Sequence, residues 1–168
     1  MPYPWAAGNQ LTATDLNAAI DRVRCKRQTA SQTVNNSITL VNSNDLIFAV
    51  KANTKYMMDS LIIYDSNITA DFKIKFSVPS GTSVRVSPWC NNTGTDTITG
   101  ALSHDAIDAD NFAAGGVGAG TMITMRPSAR ITVGSTAGNM VVQFAQNTAN
   151  VSDTKLVEGS WIVLFEVA

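Results

Sequence analysis

Charge is scarce in this chain: Asp, Glu, Lys and Arg make up only 15% of its 168 residues, against about a quarter in an ordinary soluble domain. The 12 basic and 13 acidic side chains nearly cancel, so no global field draws the protein to nucleic acid or to an acidic membrane. Histidine is almost missing. His104 stands alone, which excludes a two-histidine metal site and leaves a nucleophilic triad a single base. Only two cysteines occur, Cys25 beside a basic cluster and Cys90 after Trp89, and these contexts suit free thiols in a cytosolically made protein, with a disulfide as the alternative. No run of eighteen apolar residues exists, so no membrane-spanning helix is expected. The opening Met1-Pro-Tyr-Pro-Trp5 lacks the basic and apolar regions of a secretory signal. Without such a signal, the sequons at Asn35, Asn67, Asn91 and Asn150 read as turn composition.

What is present is a two-residue period. Phe72, Ile74, Phe76 and Val78 alternate with Lys73, Lys75 and Ser77, and Val84 and Val86 alternate with Arg85 and Ser87. Ile38–Val41 and Leu46–Val50 read as strands joined by an Asn42–Asp45 turn, and 56–64 as a longer strand. Strands are also expected at 122–126, 130–133, 140–146 and 155–167, with 91–121 the least regular part. Short connections imply antiparallel pairing in a jelly-roll-like β-sandwich, an all-β fold. The last strand is apolar on both faces: Trp161, Val163, Phe165 and Val167 point one way, Ile162 and Leu164 the other. With almost no helical pattern after residue 27, the second cover must be another sheet or other copies of the chain.

The N-terminus differs in kind. Residues 1–10 hold two prolines and suit an extended arm; Leu16, Ala19, Ile20 and Val23 then recur at helical spacing behind Thr12 or Thr14 as N-cap. So short a helix needs a surface to dock on. Arg22, Arg24, Lys26 and Arg27 follow, suited to a helix C-terminus or to an acidic partner surface.

Chemistry is hard to find. Ser103, His104 and Asp105 are sequence neighbours whose side chains point apart, so they build no triad. Asp105, Asp108 and Asp110 lack the order of a calcium loop. The Gly115–Gly120 stretch precedes strand residues rather than a helix, so it is a turning loop and not a nucleotide cradle. Trp89, Tyr64 and Trp161 could stack on sugar, but Tyr64 and Trp161 sit in strands where core packing suits them better. No enzyme, metal or cofactor is expected.

The stretch Arg130-Ile-Thr-Val-Gly-Ser-Thr-Ala-Gly-Asn-Met-Val-Val-Gln-Phe-Ala-Gln-Asn-Thr148, followed by Val157-Glu-Gly-Ser-Trp-Ile-Val-Leu-Phe-Glu-Val167, resembles a module of virion proteins from tailed bacteriophages that infect actinobacteria. Asp45–Val50, Leu61–Asp65 and Ala70–Pro79 look like the same family's central strands, and Gly8-Asn-Gln-Leu-Thr-Ala-Thr-Asp-Leu-Asn17 is similar to the attachment segment of phage tail and fibre proteins. The resemblance implies a homotrimeric β-sandwich on the virion surface, made in the host cytoplasm. It implies an N-terminal anchoring arm with a short helix (1–31) and a trimerisation sandwich (32–168). Tyr3, Trp5, Leu11, Leu16, Ile20 and Val23, with Arg22, Arg24 and Arg27, would anchor the arm to the major capsid protein or a tail protein of the same virion. Leu61, Ile63, Trp161, Ile162 and Leu164 would line the subunit interface. Capsid decoration or head fibre is the expected role. A tail appendage that binds a host surface glycan is one alternative, and a carbohydrate-binding module another. Neither nucleic acid nor membrane is an expected partner.

Overall fold

The computed structural model describes residues 10, 12, 13, 22–91, 98–99, 104–107 and 111–167. Among the described residues from Val23 onward every regular element is a strand: β1 (Val23–Arg27), β2 (Gln32–Val34), β3 (Val41–Val50), β4 (Lys55–Asp65), β5 (Phe72–Ser77), β6 (Ser83–Ser87), β7 (Cys90–Asn91), β8 (Ile98–Thr99), β9 (His104–Ile107), β10 (Phe112–Ala114), β11 (Met122–Met125), β12 (Ser128–Thr132), β13 (Gly138–Gln146), β14 (Thr154–Leu156) and β15 (Trp161–Val167). A nine-stranded sheet runs β1-β15-β4-β12-β6-β9, with β11 and β14 also paired to β4 and β2 added to β14. A four-stranded sheet runs β10-β5-β13-β3, and β7 pairs with β8. Every pairing is antiparallel, giving the expected all-β sandwich.

The alternation read from the sequence fills the space between the sheets. Ile62, Ile131, Ile162 and Leu164 from the large sheet meet Phe48, Ile74, Met140 and Phe144 from the small one, all essentially without solvent contact. Burial stabilises each such side chain by about 1.5–3 kcal/mol. Tyr64, Phe72 and Phe144 stack in series, with ring centroids 4.7 and 5.8 Å apart. The Tyr64 hydroxyl donates to the Gly115 carbonyl at 2.8 Å, and burial pushes its pKa well up.

Three expectations are corrected. Residues 23–27, read as the end of the arm's helix, form β1 and pair with β15 from Val23↔Phe165 to Arg27↔Trp161. The sheet therefore begins inside the segment assigned to the arm. Next, Asn42–Asp45 is not a turn but part of β3. Across from it β13 slips register between Val141 and Gln143, and side chains replace the missing ladder bonds. The Ser43 hydroxyl accepts from the Leu46 amide at 3.0 Å, and Gln32 both accepts from the Asn44 amide (3.1 Å) and donates to the Asn42 carbonyl (2.8 Å). Finally, 155–167 is two strands. They are divided at Gly159, whose φ of +87° is a left-handed turn conformation. Leu11 and residues 14–21, where the helix was expected, lie outside the described residues.

Candidate assembly surface

The sandwich has two outer faces, and they differ in chemistry. On the small sheet, Lys73, Lys75, Ser77 and Gln143 point outward beside Val141 and Ile47. Their polar groups are used locally: the Lys73 ammonium donates to the Ile38 carbonyl at 2.6 Å, and the Gln143 amide to the Asn42 side chain at 2.8 Å.

The large sheet turns bulky apolar side chains out. Register places Val23, Phe165 and Met57 in one cross-strand row, and they are 52%, 42% and 47% exposed. Cys25, Val163 and Asp59 form the next row, then Arg27, Trp161 and Leu61. Val167 extends the stripe at one end and Ile63 at the other. In a single-chain domain the solvent face of an antiparallel sheet is ordinarily polar. Asp59, held by Arg126, and Arg27 interrupt the apolar side chains in the second and third rows.

Of the residues expected at a subunit interface, Leu61, Ile63 and Trp161 lie on this face. Ile162 and Leu164 do not: both have 0% exposure and belong to the chain's own core. Period two forces the split, because successive side chains of one strand leave opposite sides of the sheet. Met57 and Phe165 complete the patch. Met57 is the odd member of an exposed-buried alternation in β4, legible only once Tyr56 and Met58 are known to face inward.

At one end of the stripe an open cleft of about 370 Å³ is lined by Leu61, Trp89, Ile123 and Met125, with Cys90 in its wall. Trp89 is 55% exposed. Its carbonyl accepts the Arg126 amide at 2.8 Å. The Arg126 guanidinium grips Asp59 through Nη2–Oδ2 (3.0 Å) and Nε–Oδ1 (3.3 Å), holding that carboxyl below the usual carboxylate range. Tyr64 and Ile162 are interior, and Trp161 is half-buried on the outer stripe. Burial pushes the Cys90 thiol up, away from the nucleophilic thiolate, while Cys25 lies exposed on the outer face.

The glycine-rich loop is bound to its own chain. Asp71 accepts the Gly116 amide at 3.0 Å and Asp65 the Gly120 amide at 2.9 Å, so those donors are not free for a phosphate. Among the described residues no three His, Cys, Asp or Glu side chains gather as metal ligands; Asp108 and Asp110 lie outside them. Of the expected anchors, Arg22 precedes β1, and Val23, Arg24 and Arg27 lie within it. Tyr3, Trp5, Leu11, Leu16 and Ile20 lie outside the described residues.

No family model and no curated protein matches the chain. Among solved structures, it is similar to the Gt strain of infectious bursal disease virus at 11% identity and a TM-score of 0.36, covering 87% of this chain and 34% of that one. The Gx strain matches at 14% identity and a TM-score of 0.28, covering 88% and 37%. The VP2 subviral particle of the same virus matches at 10% and 0.21, covering 88% and 41%. The chain thus spans about a third of the length of the first of these structures. At such scores the likeness carries no weight for function, which must rest on the residues themselves.

Proposed function

We propose that this protein is a non-enzymatic structural component of a virion, a homotrimer that decorates a capsid as a decoration protein or head fibre. The observation that carries self-association is the apolar outer stripe Val23, Met57, Leu61, Trp161, Val163 and Phe165, set against a polar opposite face. Water on that stripe is unfavourable at about 25 cal/mol per Å² of apolar surface, and a sister subunit removes it. The virion setting is supported by the sequence resemblance to phage modules over residues 8–167. Three arms on one trimer raise effective concentration on a particle without any new contact. Light scattering should give a mass three times the 17.9 kDa chain. A monomer at micromolar concentration would overturn self-association. Copy number on purified particles separates head from tail: hundreds support decoration, while a few tens or fewer support the tail appendage.

A saccharide-binding role has one observation in its favour, the exposed Trp89 beside an apolar cleft. Glycan-array binding that is lost in Trp89→Ala would support it, and binding that survives the substitution would remove it.

A further inference from the structure

At one end of the sandwich the chain passes between the two sheets four times, through residues 35–40, 66–71, 115–121 and 147–153. Side chains bind these crossings to one another. The hub is Gln146, the last residue of β13, which has no solvent contact. Its carboxamide makes all four of the bonds open to it. Nε2 donates to the Asn150 and Ser152 carbonyls at 2.9 and 2.7 Å, and Oε1 accepts the Ser37 and Asn150 amides at 3.1 and 2.9 Å. Gln146 therefore holds 147–153 against 35–40.

Three Asn-x-Ser/Thr triplets, far apart in the sequence at 35–37, 67–69 and 150–152, meet around this hub. In two of them the asparagine oxygen accepts the amide two residues on, at 2.9 Å from Asn67 to Thr69 and 2.8 Å from Asn150 to Ser152, the bond of an Asx turn. Each carboxamide nitrogen then reaches into the other triplet. Asn150 Nδ2 donates to Thr69 Oγ1 at 2.8 Å, and Asn67 Nδ2 to Ser152 Oγ at a longer 3.5 Å. The exchange is reciprocal. Asn35 ties in the third triplet: its Nδ2 donates to the Val151 carbonyl (2.7 Å) and to the Asp153 carboxylate (2.9 Å), and the Asn36 amide donates to the Asn150 carbonyl (3.0 Å). Main chain adds to this, because the Asn147 and Thr148 amides both donate to the Ala70 carbonyl. Asn36 and Asp71 carry left-handed backbone, with φ of +46° and +53°, a conformation that a non-glycine residue keeps only where its surroundings enforce it.

We propose that the paired triplets form a lock, through which the crossings 35–40, 66–71 and 147–153 open and close as one cooperative unit distinct from the rest of the sandwich. A turn held by its own local bonds opens alone. Here 35–40 and 66–71 are each bonded to 147–153, so neither leaves without freeing it. The opposite end is built otherwise. There 51–54 and 133–137 meet through main-chain bonds, the Asn53 amide to the Gly134 carbonyl at 2.7 Å and the Val133 amide to the Thr54 carbonyl at 2.9 Å. All of these bonds lie within one chain, so the lock can fail while the trimer and virion readings stand, and the reverse.

Replacing the buried Gln146 would disturb the core, so the test uses two exposed positions in the full-length protein, Thr69→Val and Asn35→Ala, read by amide hydrogen exchange. Thr69→Val removes the acceptor of the Asn150 carboxamide, and Asn35→Ala removes two donated bonds to 151–153. Each should speed exchange in a crossing it does not alter: at Asn36 in Thr69→Val, and at Asn147 and Thr148 in Asn35→Ala. The expected rise is about threefold to tenfold, the effect of losing one or two hydrogen bonds. In the double variant all three amides should rise by one common factor. Asn53 and Val133, which open with their own end, should keep the parent's rates. Three results would overturn the proposal: a rise confined to the substituted crossing, which would make the triplets independent turns; unequal factors at the three amides of the double variant; or an equal rise at Asn53 and Val133, which would mean that the end has no opening of its own.

Discussion

At the scale of single residues, two side chains and one missing one set measurable limits. A Cβ added at Gly116 would sit 2.4 Å from the backbone oxygen of Asn67, with Ser66 equally close at 2.5 Å. Backbone cannot step aside as a flexible side chain can, so Gly116→Ala should destabilise the fold by about 2 kcal/mol or more, read as a lower denaturant midpoint. Thr82 behaves in the opposite sense. Its hydroxyl is buried and meets no partner among the described groups, so Thr82→Val should leave stability unchanged or raise it by up to about 1 kcal/mol. Asp59 provides the pH arm. Hydrogen bonds from Arg126 depress its folded pKa, so its contribution is present above the ordinary carboxylate value and is lost as pH falls through the lower, folded one. The pair is substantially exposed, at 63% and 40%, so solvent screening limits the effect to under about 1 kcal/mol. Comparing Asp59→Asn with the parent from pH 6 to pH 2 should show a small stability difference at the upper end that vanishes in acid. Gly116 could not have been singled out in the sequence from the three other glycines of its stretch, Gly115, Gly118 and Gly120. Its constraint is the 66–67 backbone, 49 residues earlier in the chain.

At the scale of elements, β15 and β4 are the decisive pair, and each has one face committed to the core and one to solvent. Ile162→Ala should cost about 2–5 kcal/mol at any protein concentration, since it opens a cavity between the sheets. Phe165→Ser together with Met57→Ser should leave the unfolding of a dilute sample nearly unchanged and abolish the concentration dependence of its mass. If both pairs of measurements move together, the two faces are not doing separate work. The two-sided character of 161–167 was legible from residue type alone, as was the strand 72–77, because strict alternation leaves one reading. The assignment of faces was not legible. Ile162 and Leu164 are as apolar as Trp161 and Val163, and only pairing to β4 within a sandwich says which set looks inward. The basic run at 22–27 misled for a related reason. Val23 continues the helical spacing of Leu16 and Ile20, yet pairing with β15 satisfies more backbone groups than an isolated helical turn could.

At the scale of the whole molecule, removal of residues 1–21 should leave a folded sandwich, because the ladder of β1 with β15 and the Gln28–Ser160 bond lie beyond that cut. Such a truncation should keep the parent's oligomeric mass and lose attachment to particles in a co-sedimentation assay. A truncated protein that still decorates them would move the anchor into the sandwich. Composition, low charge and period two determined by themselves that the chain is an antiparallel all-β protein, because those properties are local and additive along the chain. Which face is core, where the sheet begins among the described residues and that side chains cover the β3 edge were decided only by tertiary structure. Each depends on which distant strand lies alongside, and no local spacing encodes that choice.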